Sequence, residues 1–170
     1  EPEVLRRYAR HYETGEVIPD ALIEKIRASS TFNQGFQTSE YLAAAYLDMA
    51  WHAQAPDAAA DVKALEAAEM DRIGLPLTIA PRYKSTYFQH IFAGDHYSAG
   101  YYAYIWAEVL DADGFEAFKE QGLFDPATAQ SFRQNILERG GSAEPMSLYR
   151  AFRGRDPAVD ALLVNRGLAS

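Results

Sequence analysis

No cysteine occurs among the 170 residues. Disulfides, thiolate nucleophiles and cysteine-ligated zinc are therefore excluded, and the composition fits a reducing compartment. Basic side chains are in the minority, with 16 Lys and Arg against 24 Asp and Glu and a formal net charge of −8. They are scattered without a basic patch, so nucleic acid is not an expected partner. No apolar run approaches the roughly 20 residues that span a bilayer, and no signal peptide is visible. The expectation is a cytoplasmic chain without membrane contact. Repeats, low-complexity tracts and convincing period-two alternation are missing as well, which leaves the helix as the dominant signal. A length of 170 residues and a hydrophobic content of 48% suit one domain with a sizeable core. The first residue is Glu1 rather than Met, and Glu-Pro-Glu-Val-Leu reads as mid-protein sequence, so a fragment is expected.

The helical pattern starts with Val4, Leu5, Tyr8 and Tyr12, and Glu13-Thr14-Gly15 ends it. Pro19-Asp20 opens a second helix, and Phe32 to Phe36 reads as a loop. Thr38 or Ser39 is the expected cap of a third helix ending near Ala53, with Leu42, Tyr46 and Met49 as its buried stripe. Residues 55–58 separate it from a fourth, which carries Val62, Leu65, Ala68 and Ile73. Leu75 to Ala80 suits an extended crossing segment. A tyrosine-rich helix is expected from Tyr97 to Leu110, broken by Asp111-Ala112-Asp113-Gly114 in a solvated turn and followed by another over 115–121. Asp125-Pro126 and Asp156-Pro157 both look like helix starts. The first helix stops at Gly140-Gly141, and a new cap follows. Leu148, Tyr149 and Phe152 anchor a short helix between the two. The fold class is all-α, one domain of about nine helices.

The stretch 90–106 carries the chemistry. It reads His-Ile-Phe-Ala-Gly-Asp-His-Tyr-Ser-Ala-Gly-Tyr-Tyr-Ala-Tyr-Ile-Trp. Tyr97, Tyr101 and Tyr104 stand at i, i+4 and i+7, so a helix starting near Tyr97 stacks three phenols on one face. Phenols beside imidazoles can line a polar cleft. Tyr102, Ile105, Trp106 and Val109 fall on another face and read as core. Gly94 and Gly100 permit close backbone approach to a ligand. The plainer alternatives stand beside this: amphipathic core tyrosines, and His90 as a packed histidine between Phe88 and Phe92.

Other chemistries find little support. His11, His52, His90 and His96 form no His-Glu-x-x-His pair, and His90 and His96 are too far apart to share a helix face. His96 with Asp95 is a surface pair before it is a metal site. No metal ligand set is assigned. There is no Gly-x-Ser-x-Gly elbow and no phosphate loop. The chain offers hydrogen-bond donors without a nucleophile, base or metal of its own.

Tyr87-Phe88-Gln89-His90-Ile91-Phe92 followed by Tyr97-Ser98-Ala99-Gly100-Tyr101-Tyr102-Ala103-Tyr104-Ile105-Trp106 resembles the carboxy-terminal hallmark of the zinc oligopeptidases. The resemblance extends through Phe32 to Phe36, Ile136 to Ser142 and Phe152 to Pro157, and so over essentially the whole chain. Tyr46-Leu47-Asp48-Met49-Ala50-Trp51-His52 resembles the peptidyl-dipeptidase branch. The family implies zinc held by His-Glu-x-x-His and a later glutamate, a water activated by the metal, and attack on a peptide carbonyl. Those groups would lie upstream of Glu1, in the missing amino-terminal part of the same protein. Carried over by position, Tyr104 would stabilise the oxyanion, His90 would contact the peptide backbone, and Tyr97, Tyr101 and Gly94 would contact substrate or support that hydroxyl. A departure lies at Gly94-Asp95-His96-Tyr97, where a glycine pair leading directly into the tyrosine is expected. The resemblance implies the carboxy-terminal part of a peptidase catalytic domain, acting on short peptides by releasing carboxy-terminal dipeptides, and inactive alone. The alternative is a non-catalytic helical module that binds peptides or a partner. A further possibility is dimerisation through apolar surface exposed by separation from the rest.

Overall fold

Proline in the first turn, or an acid just before it, marks several of the chain's helix starts. The computed structural model describes residues 1–55, 58 and 61–169. Helix α1 (Pro2–Tyr8) begins on proline, and α2 (Asp20–Ser30) begins after Pro19 as expected. The first helix stops short of Tyr12, which is highly exposed; Arg10 and Val17 instead form an isolated antiparallel bridge across the Glu13–Gly15 turn. Helix α3 (Gln34–His52) starts earlier than the Thr38 or Ser39 cap implied, because Asn33 turns the chain in the left-handed region at φ 56°. Asparagine tolerates that conformation. Helix α4 (Val62–Arg72) is capped by Asp61, which accepts from the amides of Lys63 and Ala64. Of the separator read at 55–58, Pro56 and Asp57 lie outside the described residues. Leu75 to Ala80 is a turn rather than an extended crossing: the Ile79 amide donates to the Pro76 carbonyl, and Leu77 is fully exposed.

The short α5 (Gln89–Phe92) leads into α6 (Ala103–Gln121). The latter runs unbroken through Asp111–Gly114, so no separate helix exists over 115–121. Helix α7 (Pro126–Phe132) is capped by Asp125, and a π turn over Arg133–Leu137 continues it. Glu144 caps α8 (Pro145–Arg153). Helix α9 (Asp160–Asn165) starts three residues beyond Pro157, because Asp156 is drawn away by Arg150 at 2.5 Å. Among the described residues no strand forms, and the all-α reading holds.

Helix α6 packs on α9 and α7, and α3 packs on α4. Two apolar clusters result. One gathers Tyr41, Ala44 and Ala45 of α3 with Phe88, Ile91 and Tyr101. The other joins Val109 and Ala112 of α6 to Leu162 of α9, and Ile105 packs against both. Phe88, Ile91, Leu47 and Ile23 are fully buried, worth about 1.5–3 kcal/mol each. Of the stripe expected on α3, Leu42 is half-buried and packs against the first cluster, whereas Tyr46 and Met49 are exposed. Small Ala44 and Ala45 let the neighbouring aromatic rings approach that helix instead. On α4, Ala68 is exposed while Val62, Leu65 and Ile73 are half-buried.

Candidate functional site

Tyr101 is the residue around which the site is built. Its ring is 6% exposed and lies 5.1 Å from Phe88 and 5.3 Å from Tyr41, centroid to centroid. Burial pushes its phenol above the ordinary value, with the Arg82 guanidinium pulling the other way. The Tyr101 edge and face then support two further rings, His90 at 5.5 Å and Tyr104 at 5.5 Å. His90 stands on α5, and its Nε2 lies 3.1 Å from the Tyr104 hydroxyl. Tyr97 tilts against the other side of the imidazole at 4.9 Å. Tyr97 and Tyr104 are about half exposed. A polar imidazole–phenol pair therefore faces outward on a buried aromatic floor.

The three phenols do converge with His90, but not along one helix. Tyr97 ends a 3-10 turn (Asp95–Tyr97), Tyr101 precedes α6, and only Tyr104 lies within that helix. Ala99, at φ 56°, and Gly100 turn the chain between them. A side chain at Gly100 would have its Cβ 3.3 Å from the Tyr97 carbonyl oxygen, a tight contact that glycine avoids. Gly94 is different: its backbone is extended, and a Cβ there would make only an ordinary contact with His96. Tyr102 and Trp106 are 53% and 45% exposed rather than core, and Trp106 lines an open groove, whereas Val109 is buried and Ile105 packs against both clusters. Asp95 and His96 form an exposed surface pair at 3.6 Å.

Three residues that spacing did not single out surround this turn. Asp48 is fully buried; its Oδ1 accepts from the Ala99 amide at 3.0 Å and its Oδ2 from the Tyr101 amide at 2.9 Å. His52 Nδ1 lies 2.7 Å from the same Oδ1. Tyr41 donates its hydroxyl to the Tyr101 carbonyl at 2.6 Å and accepts from the Ile105 amide at 3.2 Å. Tyr41, Asp48 and His52 fall at i, i+7 and i+11 on α3, one face of the helix. That register was the available signal.

Among the described residues no three His, Asp or Glu side chains cluster as a metal site. Among the same residues no helix is long and apolar enough to cross a membrane. Away from the tyrosines, an open groove of about 680 Å³ lies between α6, α7 and α8, lined by Phe115, Phe118, Phe132, Phe152, Ile136 and Trp106 among others.

A family model described as peptidase family M3 matches residues 1–168. The chain is 46% identical over 173 residues to the dipeptidyl carboxypeptidase of Escherichia coli (strain K12), covering 98% of this chain and 25% of that protein. It is 44% identical over 172 residues to oligopeptidase A of the same organism, covering 99% and 25%. Similarity reaches the saccharolysin of Saccharomyces cerevisiae at 31% identity over 166 residues, covering 93% and 22%. The chain thus spans about a quarter of the length of the first two relatives.

Proposed function

This chain belongs to peptidase family M3, and we propose that it is the carboxy-terminal part of the catalytic domain of a zinc peptidase that hydrolyses short peptides. Release of carboxy-terminal dipeptides is the proposed specificity. The 46% identity to a dipeptidyl carboxypeptidase favours it over internal cleavage, although oligopeptidase A follows closely at 44%.

The observation that carries the reading is the 3.1 Å contact between Tyr104 and His90 at a half-exposed position. With the Nε2–H of His90 donating to the phenol oxygen, the phenol proton is free to point outward. Tyr104 then donates that proton to the oxygen on which charge develops when a peptide carbonyl is attacked. A preorganised donor stabilises that charge more than it stabilises the neutral carbonyl. His90 and the half-exposed Tyr97 offer further contacts to the peptide backbone. Tyr101, buried beneath them, supports the pair, and extended Gly94 leaves room beside it. Zinc, the cofactor implied for the whole enzyme, does not fit the residues described, which supply no cluster of ligands. Its ligands are assigned to the remainder of the same polypeptide, the proposed partner of this chain. The open apolar groove between α6, α7 and α8 is a surface suited to such packing. The cytoplasm is the proposed setting, consistent with a chain that lacks cysteine.

The test is Tyr104→Phe in the full-length protein. Turnover of a short peptide is expected to fall about 100- to 1,000-fold, with KM little changed and the unfolding midpoint preserved. Unchanged turnover removes the oxyanion role. Mass spectrometry of the products from an unlabelled peptide separates stepwise dipeptide release from internal cleavage.

A further inference from the structure

We propose that Asp48 and Tyr41 are positioning residues that set where the Tyr104 hydroxyl stands relative to His90. The inference rests on the reading of Tyr104 as the oxyanion donor and names what holds that donor in place.

Asp48 is a fully buried carboxylate, and the His52 imidazole lies beside it on the same helix. A buried acid must be satisfied by donors. Here two of the donors are main-chain amides of one turn, Ala99 on Oδ1 and Tyr101 on Oδ2. His52 Nδ1 completes the set at 2.7 Å from Oδ1. Two amides on two different oxygens require a carboxylate. An amide side chain has one acceptor oxygen, and its NH2 would face an N–H. The turn that Asp48 grips includes Ala99 at φ 56°, a conformation alanine keeps only when its surroundings hold it. Tyr41 grips the other end, through the Tyr101 carbonyl and the Ile105 amide. Tyr104 lies between those anchors, so its hydroxyl is placed by α3 rather than by α6 alone. The hydrogen bonds of Asp48 and Tyr41 run to the backbone that carries the imidazole–phenol pair, and it is through that backbone that they act.

The experiment uses the full-length enzyme. Asp48→Asn is expected to lower kcat about 10- to 100-fold with KM little changed, the cost of a misplaced catalytic group. In a Tyr104→Phe background the same substitution is expected to cause no further fall in kcat, because its effect passes through the missing hydroxyl. An equal fold-loss in both backgrounds overturns the proposal. Position is read separately by 19F NMR with 3-fluorotyrosine at position 104. Its resonance is expected to move in Asp48→Asn and in Tyr41→Phe, a variant that deletes one oxygen and serves if Asp48→Asn does not fold. A resonance unmoved in the folded variants overturns the positioning role whatever Tyr104 does in catalysis. Full turnover in Tyr104→Phe with a moved resonance removes the oxyanion reading and keeps the positioning one.

Discussion

Asp113 is a charged side chain at 2% exposure, and its surroundings show how this chain tolerates one. Tyr149 donates its hydroxyl to Oδ2 and Arg155 donates to Oδ1, each at 2.5 Å. Arg153 donates through Nε to the Asp113 carbonyl while forking onto Glu120. Burial works to raise the Asp113 carboxyl, but Tyr149, Arg155 and Arg153 outweigh it and hold it below its ordinary value. Burial and the neighbouring carboxylate push the Tyr149 phenol upward. A depressed carboxyl stabilises the fold above its unfolded pKa of about 3.9, and the contribution fades as pH falls through the lower folded value. Asp113→Asn is therefore expected to lose about 3 kcal/mol at neutral pH, the cost of removing one partner from a buried charge network. Urea unfolding of the protein measures it, and the gap should narrow below about pH 4. Equal stability at neutral pH would show that the network contributes little. In the sequence, Asp111-Ala112-Asp113-Gly114 has the composition of a solvated turn. Its buried character depends on arginines 40 and 42 positions away, and no local pattern announces them.

Helix α8 shows what a single glycine does for an element. Gly154 ends it in the left-handed region at φ 79°, with Arg153 before it and Arg155 after it. Both flanking arginines reach Asp113, Arg155 at 2.5 Å and Arg153 at 3.7 Å. Gly154→Ala meets no neighbour within 4 Å, so its cost is the backbone conformation alone, about 1–2 kcal/mol. The expected result is a lower unfolding midpoint with peptide turnover of the full-length protein unchanged; no change in the midpoint would refute the strain argument. Elements of this kind are legible. Asp125 caps α7 ahead of Pro126, α2 starts directly after Pro19, and α3 ends at His52 close to the expected Ala53. The tyrosine segment is half legible. Its i, i+4, i+7 spacing brings three phenols to one imidazole, yet through a turn instead of a helix face. Ala99 and Gly100 make that turn, and Asp48 stabilises it from 51 and 53 residues away through backbone amides. An acid that recognises main chain leaves no partner residue to find in the sequence.

At the scale of the molecule the chain spans about a quarter of the length of the dipeptidyl carboxypeptidase and the oligopeptidase A it matches. Its phenol and imidazole stand half-exposed on a buried aromatic floor, and under the proposed function they are one part of a larger catalytic unit. Under the proposed function this chain supplies the polar wall of a peptidase site whose metal is held by other sequence. Metal analysis of purified residues 1–170, alongside a peptidase assay with the full-length protein as positive control, tests it most directly. The account predicts no stoichiometric zinc and no hydrolysis from the isolated chain, with both recovered in the full-length protein. One tightly bound zinc per isolated chain that supports peptide cleavage would contradict it.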